Sequence, residues 1–168
     1  MDGSTAETAS CLEDIASNSG QRGSTRSLNV TVLSFGFKEG PPPEAQMMFD
    51  VRFLQNPFWK EELRELTGLE QPVQDYVLSQ PLAQEFIDSC KALLEQLLPR
   101  LAEDGTRQFT IAIGCTGGQH RSVSVAEIIT RKLRESCPDY KIRICHRELD
   151  ARADTPEDFS NDSCSNAN

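Results

Sequence analysis

No stretch of this sequence approaches the run of about 20 apolar residues that a membrane span needs, so no membrane partner is expected. A basic start followed by an apolar segment, the mark of a secretory signal, is also missing, and the expected location is cytoplasmic. Cysteine is present without pattern: the six, at positions 11, 90, 115, 137, 145 and 164, show no C-x-x-C spacing. In a chain with no secretion signal this argues against a zinc site and for reduced thiols over disulfides. No metal and no cofactor is expected. Positive charge is scarce too, with 17 Lys and Arg against 26 Asp and Glu and a net charge of −9. That excludes a general nucleic-acid footprint and leaves a local basic cluster, Arg131, Lys132, Arg134, Lys141, Arg143 and Arg147, offset by Glu135 and Asp139.

The 168 residues suffice for one domain with a real core. Residues 1–28 are rich in Ser, Thr, Gly, Asn and Ala without periodicity and read as a disordered leader. Residues 150–168, DARADTPEDFSNDSCSNAN, read as an acidic disordered tail. The domain expected between them covers 29–149. It opens with the β-branched run Val30–Phe35, broken by Gly36 and followed by a long loop with Lys38, Gly40 and three prolines. Met47–Leu54 is a second strand candidate, and residues 58–66 and 72–79 read as short helices around the Thr67-Gly68 turn. From Leu82 the positions Phe86, Cys90, Leu93, Leu94, Leu97 and Leu101 predict one amphipathic helix to about Glu103, with Pro99 near its end. A strand over Phe109–Ile113, a helix with the stripe Val123, Ala126, Ile129 and Leu133, and a strand over Lys141–Cys145 follow. The alternation predicts an α/β fold, a small, open and mostly parallel sheet of about four strands with flanking helices. Such sheets place ligands at the carboxyl ends of their strands.

One loop lies at such an end. Cys115 to Ser122 reads C-T-G-G-Q-H-R-S, between a strand and a helix. A helix N-terminus offers free N–H groups and about half a positive charge. Gly117 and Gly118 let the backbone amides turn inward, Thr116 and Ser122 add hydroxyls, and Arg121 adds a planar fork suited to phosphate. His120 faces either the ligand or solvent. This is a candidate anion cradle, with a structural turn as the plain alternative. The Cys-x5-Arg-Ser spacing also matches cysteine-dependent phosphatases, with Cys115 as nucleophile, Arg121 as phosphate clamp and Asp50 as general acid. Gly114, however, stands where those enzymes usually carry a His. Asp50 and Arg52 share one face of their predicted strand, as an internal ion pair or with Arg52 reaching the same pocket as Arg121. His146, after the last strand, flanks the pocket or lies on the surface.

Taken together, SFGFKEGPPPEA, MFDVRFLQNPFWKEELRELTGLEQPVQDYV, TIAIGCTGGQHRSV and IRICHREL resemble the C-terminal domain of the RapZ/YvcJ family of bacterial RNase adapters and nucleotide-binding proteins. The resemblance runs from about Val30 to Leu149. It implies a compact α/β domain whose GCTGG-x-HRS loop binds a phosphorylated amino sugar in members that act as metabolite sensors. Those members also bind small regulatory RNAs and assemble into oligomers, and none of this implies phosphatase activity. Carried onto this chain, the implied contacts are Arg52, Thr116, Gly117, Gly118, His120 and Arg121, supported by Cys115 and Asp50. Three departures stand out. No Gly-rich phosphate loop ending in Gly-Lys-Ser or Gly-Lys-Thr precedes the domain, which argues against ATP or GTP hydrolysis. Phe58 stands where members often have His or Tyr. The chain continues into acid rather than a basic tail, which disfavours RNA. The expectation is a non-catalytic sensor or adapter domain for a small phosphorylated metabolite, acting through a protein partner or a second copy. An RNA adapter and a cysteine phosphatase are the alternatives.

Overall fold

Val30, Val32 and Leu33 belong to an apolar, β-branched run of the kind that packs well when extended and buried on both faces. It forms strand β1, Asn29–Gly36, almost wholly buried. The computed structural model describes residues 28–153. In it β1 joins β2 (Met47–Asp50), β3 (Gln108–Cys115) and β4 (Lys141–His146) in a sheet ordered β2-β3-β1-β4. Every neighbouring pair is parallel. Four α-helices accompany the sheet among the described residues: α1 (Gln71–Leu78), α2 (Pro81–Glu103), α3 (Arg121–Ser136) and α4 (Arg147–Ala153). The architecture is thus the small open α/β sheet that the alternation predicts, and its pairing is parallel throughout.

The core lies between the sheet and helices α2 and α3. Val30, Val32, Ile111 and Ile113 from the strands meet Ile87, Leu94 and Leu98 of α2 and Val125, Ile129 and Leu133 of α3. Leu33 and Phe35 turn to the opposite face, where Phe37 packs edge-on at 4.7 Å and the Arg147 guanidinium lies over the Phe35 ring. The four described cysteines, Cys90, Cys115, Cys137 and Cys145, are buried free thiols, and burial pushes Cys90 up to about 12.

Four expectations change. The second strand stops at Asp50 rather than Leu54, because Asp50 Oδ1 accepts the Arg52 amide at 2.9 Å and turns the chain. Residues 58–66 are not one helix but two 3-10 turns, Pro57–Trp59 and Glu61–Leu63, closed by Lys60 N to Pro57 O and Arg64 N to Glu61 O. On α2 the buried stripe is Ala83, Ile87, Cys90, Leu94 and Leu98, so it lies one step round from the predicted face and leaves Leu93 exposed. Finally, α4 crosses the boundary drawn at Leu149. The acidic residues there form a helix first turn, where Asp150 Oδ2 accepts the His146 amide at 3.1 Å and carboxylates complement the helix dipole. The predicted leader and tail otherwise fall outside the described residues.

This topology places the site. β1 and β3 are neighbours, yet the chain leaves β1 toward β2 and leaves β3 toward β4. The two connections therefore run in opposite directions, each passing the end of the neighbouring strand, and the crevice at this reversal is the switch point where such sheets place ligands. Because all strands are parallel, the segments after β1, β2 and β3 all emerge on that same edge.

Candidate functional site

The loop from Thr116 to His120 crosses the crevice between β3 and α3. Its backbone runs so close to β1 that a Cβ on Gly36 would stand 2.8 Å from the Gly117 carbonyl carbon. Lys38 N donates to Thr116 O at 3.2 Å, and Gly68 N donates to Gln119 O at 2.8 Å. The Thr67-Gly68 turn thus braces the loop from the outside, with its glycine pressed against His120 O. Gly118 takes a φ of 70°, a left-handed conformation that favours glycine. It backs onto Glu148, whose Oε2 would lie 2.4 Å from an added Cβ. Gly117 differs from both: its φ is ordinary and an added Cβ would meet open space.

Arg121, 5 % exposed, ties the loop to the segment after β2. Its Nη1 donates to Arg52 O at 3.0 Å and Leu54 O at 2.9 Å, and its Nη2 donates to Thr116 Oγ1 at 3.1 Å. Its Nε is buried and has no protein partner. Beside it His120 is buried as well, with Nε2 unpartnered. Burial holds the His120 pKa below its usual value, opposed by the nearby carbonyls of Arg64 and Leu66 and reinforced by the Arg121 charge. No side chain caps the N-terminus of α3, and its first turn carries no acid.

These groups floor a cavity of about 460 Å³. Cys115, Thr116, Gly117, Gln119, His120 and Arg121 form the floor, Lys38 stands at one side, and Asn56, Phe58 and Trp59 make a wall. A second cavity of about 360 Å³ adjoins it and shares Lys38, Gly117 and Gln119, with Glu39 and Glu148 on its far side.

Of the residues singled out in the sequence, five line the main cavity: Cys115, Thr116, Gly117, His120 and Arg121. Ser122 does not reach it, because it is fully buried with Oγ 3.1 Å from Cys115 Sγ. Gly118 faces Glu148 and Gly36. Arg52 is not among the lining residues: its guanidinium grips Asp50 (Nη2 to Oδ2, 2.6 Å) and lies 4.2 Å over the Phe37 ring. The arginine thus contributes its carbonyl, as acceptor to Arg121. Asp50 is held below the usual carboxylate range, chiefly by the hydrogen bond from Arg52. His146 is built into the core, with Nδ1 2.8 Å from Ser34 Oγ and Nε2 2.9 Å from Glu127 Oε1. It pins β1 and β4 to α3 and does not touch the cavity.

The phosphatase geometry is poorly served by this arrangement. An ionised Asp50 bound to Arg52 is a weak proton donor. Gly114, moreover, leaves no room for a histidine: an added Cβ would stand 2.4 Å from Phe35 Cζ. Sequence reading also passed over Glu148, Lys38 and Trp59 as site residues. Glu148 Oε1 accepts from Gly36 N at 2.9 Å and from Arg147 Nη2 at 2.7 Å, while Arg147 Nη2 also donates to the Gly36 and Gly40 carbonyls. The signal was the strand order: once β4 sits beside β1, the residues after His146 must lie against the turn after Gly36.

A small all-parallel α/β domain with a glycine-rich strand–loop–helix at its switch point is the class that fold and site define. The family model for the RapZ C-terminal domain matches residues 28–150, and the chain belongs to that family. Among curated relatives, a protein named nucleotide-binding protein from Corynebacterium efficiens is 49 % identical over 121 residues, covering 72 % of this chain and 38 % of the relative. A nucleotide-binding protein of Desulfitobacterium hafniense is 44 % identical over 148 residues, covering 88 % of this chain and 49 % of the relative. One from Shewanella sp. is 50 % identical over 124 residues, covering 74 % and 43 %. The chain therefore spans half or less of the length of these relatives. No helix among the described residues is long and apolar enough to cross a membrane.

Proposed function

We propose that this domain is a non-catalytic regulatory module that binds a small phosphorylated sugar, with the phosphate on the floor of the main cavity. The observation that carries the reading is the buried, unpartnered Nε of Arg121 beside an uncapped helix N-terminus. Leaving such a donor unpaired in a folded protein is costly, and an anion relieves the cost. Gly117 supports the same reading, since nothing in the fold demands a glycine there while a ligand pressed against the backbone would. Lys38 adds a charge from the other strand end. Binding is favoured over turnover because three of the five N–H groups of Arg121 are committed to fixed acceptors and Asp50 is ionised.

RNA binding gains no comparable support. In the basic cluster Lys132 pairs with Asp88, Arg134 Nε donates to Ile142 O, and Arg147 is bound to Glu148.

Calorimetric titration with inorganic phosphate and glucose 6-phosphate tests the proposal. The expected result is binding to the wild type and at least tenfold weaker binding to Gly117→Val, whose side chain points into open space and leaves the melting temperature unchanged. Failure of both compounds to bind the wild type, or equal binding by the folded variant, overturns it.

A further inference from the structure

His120 stands at the N-cap of α3 and lines the main cavity, yet its side chain caps nothing. The residue is 8 % exposed, and its Nε2 is buried with no hydrogen-bond partner. A neutral imidazole has one donor and one acceptor, whereas the charged ring has two donors. Acceptors for the charged ring are at hand, since the carbonyls of Arg64, Leu66 and Leu63 all lie where they favour it. Burial outweighs them, and the Arg121 charge adds to the burial.

The charges around the ring are mostly positive. Arg121 adjoins it on α3, whose N-terminus adds a partial positive charge of its own. Lys38 borders the same cavity from the segment after β1. Arg64 lies over the Phe58 ring, which is 6.5 Å from the ring of His120. The segment after β2 brings Arg52, but that cation is committed to Asp50. A carboxylate, Glu70, is coupled to His120 from the turn before α1, and Thr67 N and Thr67 Oγ1 already engage it, each at 2.6 Å. An oxyanion on the floor reverses this balance. It offsets the Arg121 charge and supplies a further acceptor, and the carbonyls already in place then stabilise a charged ring. His146, the only other histidine of the chain, differs: both its ring nitrogens have partners, in Ser34 and Glu127.

We infer that oxyanion binding in the main cavity is coupled to uptake of one proton by His120, so that the site tightens as pH falls. The proton comes from solvent and rests on the imidazole, and no bond to the ligand is made or broken. This rests on the anion-binding reading above and adds the regulation of that site. Linkage makes the effect reciprocal: the anion strengthens proton binding by the factor by which the proton strengthens anion binding. A rise of one pKa unit on binding corresponds to a tenfold gain in affinity.

The test titrates the full chain calorimetrically with inorganic sulfate from pH 8 to pH 5.5, in buffers of different ionisation heat. Sulfate keeps its charge over this range, whereas phosphate monoesters titrate near pH 6 and would blur the result. Expected are an affinity about tenfold higher at pH 5.5 than at pH 8 and net proton uptake between those limits. His120→Gln should bind more weakly, with no uptake and no pH dependence. The ring proton signals of the two histidines give a second readout by NMR: sulfate, and inorganic phosphate run beside it, should raise the titration midpoint of the signal that His120→Gln lacks. Affinity independent of pH, uptake that persists in His120→Gln, or a bound anion that leaves this signal unmoved overturns the coupling while the anion site stands. If neither sulfate nor phosphate binds at any pH, the anion site falls and the coupling with it.

Discussion

The floor and the wall of the main cavity are built on opposite principles. The floor is buried and cross-tied: Arg121 reaches two carbonyls and a hydroxyl, Cys115 leans on Ser122, and Gly36 and Gly68 let two other segments press against the loop backbone. The wall is exposed, with Phe58 at 42 % and Trp59 at 76 %. A floor of that kind is costly to alter and suits a feature shared by many ligands, such as phosphate. A wall of that kind can change without unfolding the domain, so under the proposed function it is where selectivity would vary.

Substitutions can break or sharpen this contrast. The largest effect is expected from Gly68→Ala, where the new methyl would meet His120 O at 2.4 Å and Ser124 N at 2.5 Å. Backbone must move, and urea unfolding should show a loss of about 2–3 kcal/mol. Thr116→Val comes next. It removes the acceptor of Arg121 Nη2 while keeping shape, and should cost about 1–2 kcal/mol in the same measurement. His120 gives a smaller, pH-dependent effect. Its folded pKa lies below the unfolded value of about 6.5, so its contribution is present in full above that pH and is lost as pH falls toward the folded value. Arg121 and Glu70 are the charges coupled to it. Chemical denaturation from pH 7.5 down to 5 should show wild-type stability falling, and His120→Gln should flatten that slope. Trp59→Ala should change stability least, within about 0.5 kcal/mol, despite removing the largest side chain of the wall.

Where the sequence was legible, the reason was local. β1, β3 and α3 carry unbroken hydrophobic patterns, and the loop that makes the floor is a contiguous motif, so fold class and floor could both be read from spacing. The misreadings came from interactions that alternation cannot encode. Asp50 captures the Arg52 amide and ends β2 early; Pro57 and the bonds it allows turn a helical pattern into 3-10 turns; Asp150 turns an acidic run into a helix start. Arg121 was legible as an arginine in a cradle but not as a clamp, because its acceptors, Arg52 O and Leu54 O, are main-chain atoms that the sequence does not display. Trp59, Lys38 and Glu148 reach the site only through strand order, and a motif search along the chain passes over them.

The grip of α4 on the turn after β1 has a mechanical meaning. Arg147 and Glu148 hold Gly36 and Gly40 by side-chain bonds, from a helix that runs to Ala153. A displacement of α4 is therefore transmitted to the turn after β1 through two residues, without passing through the core. Helix α4 is thus a handle on the edge of the second cavity, and anything that tightens that edge would stiffen the helix in return.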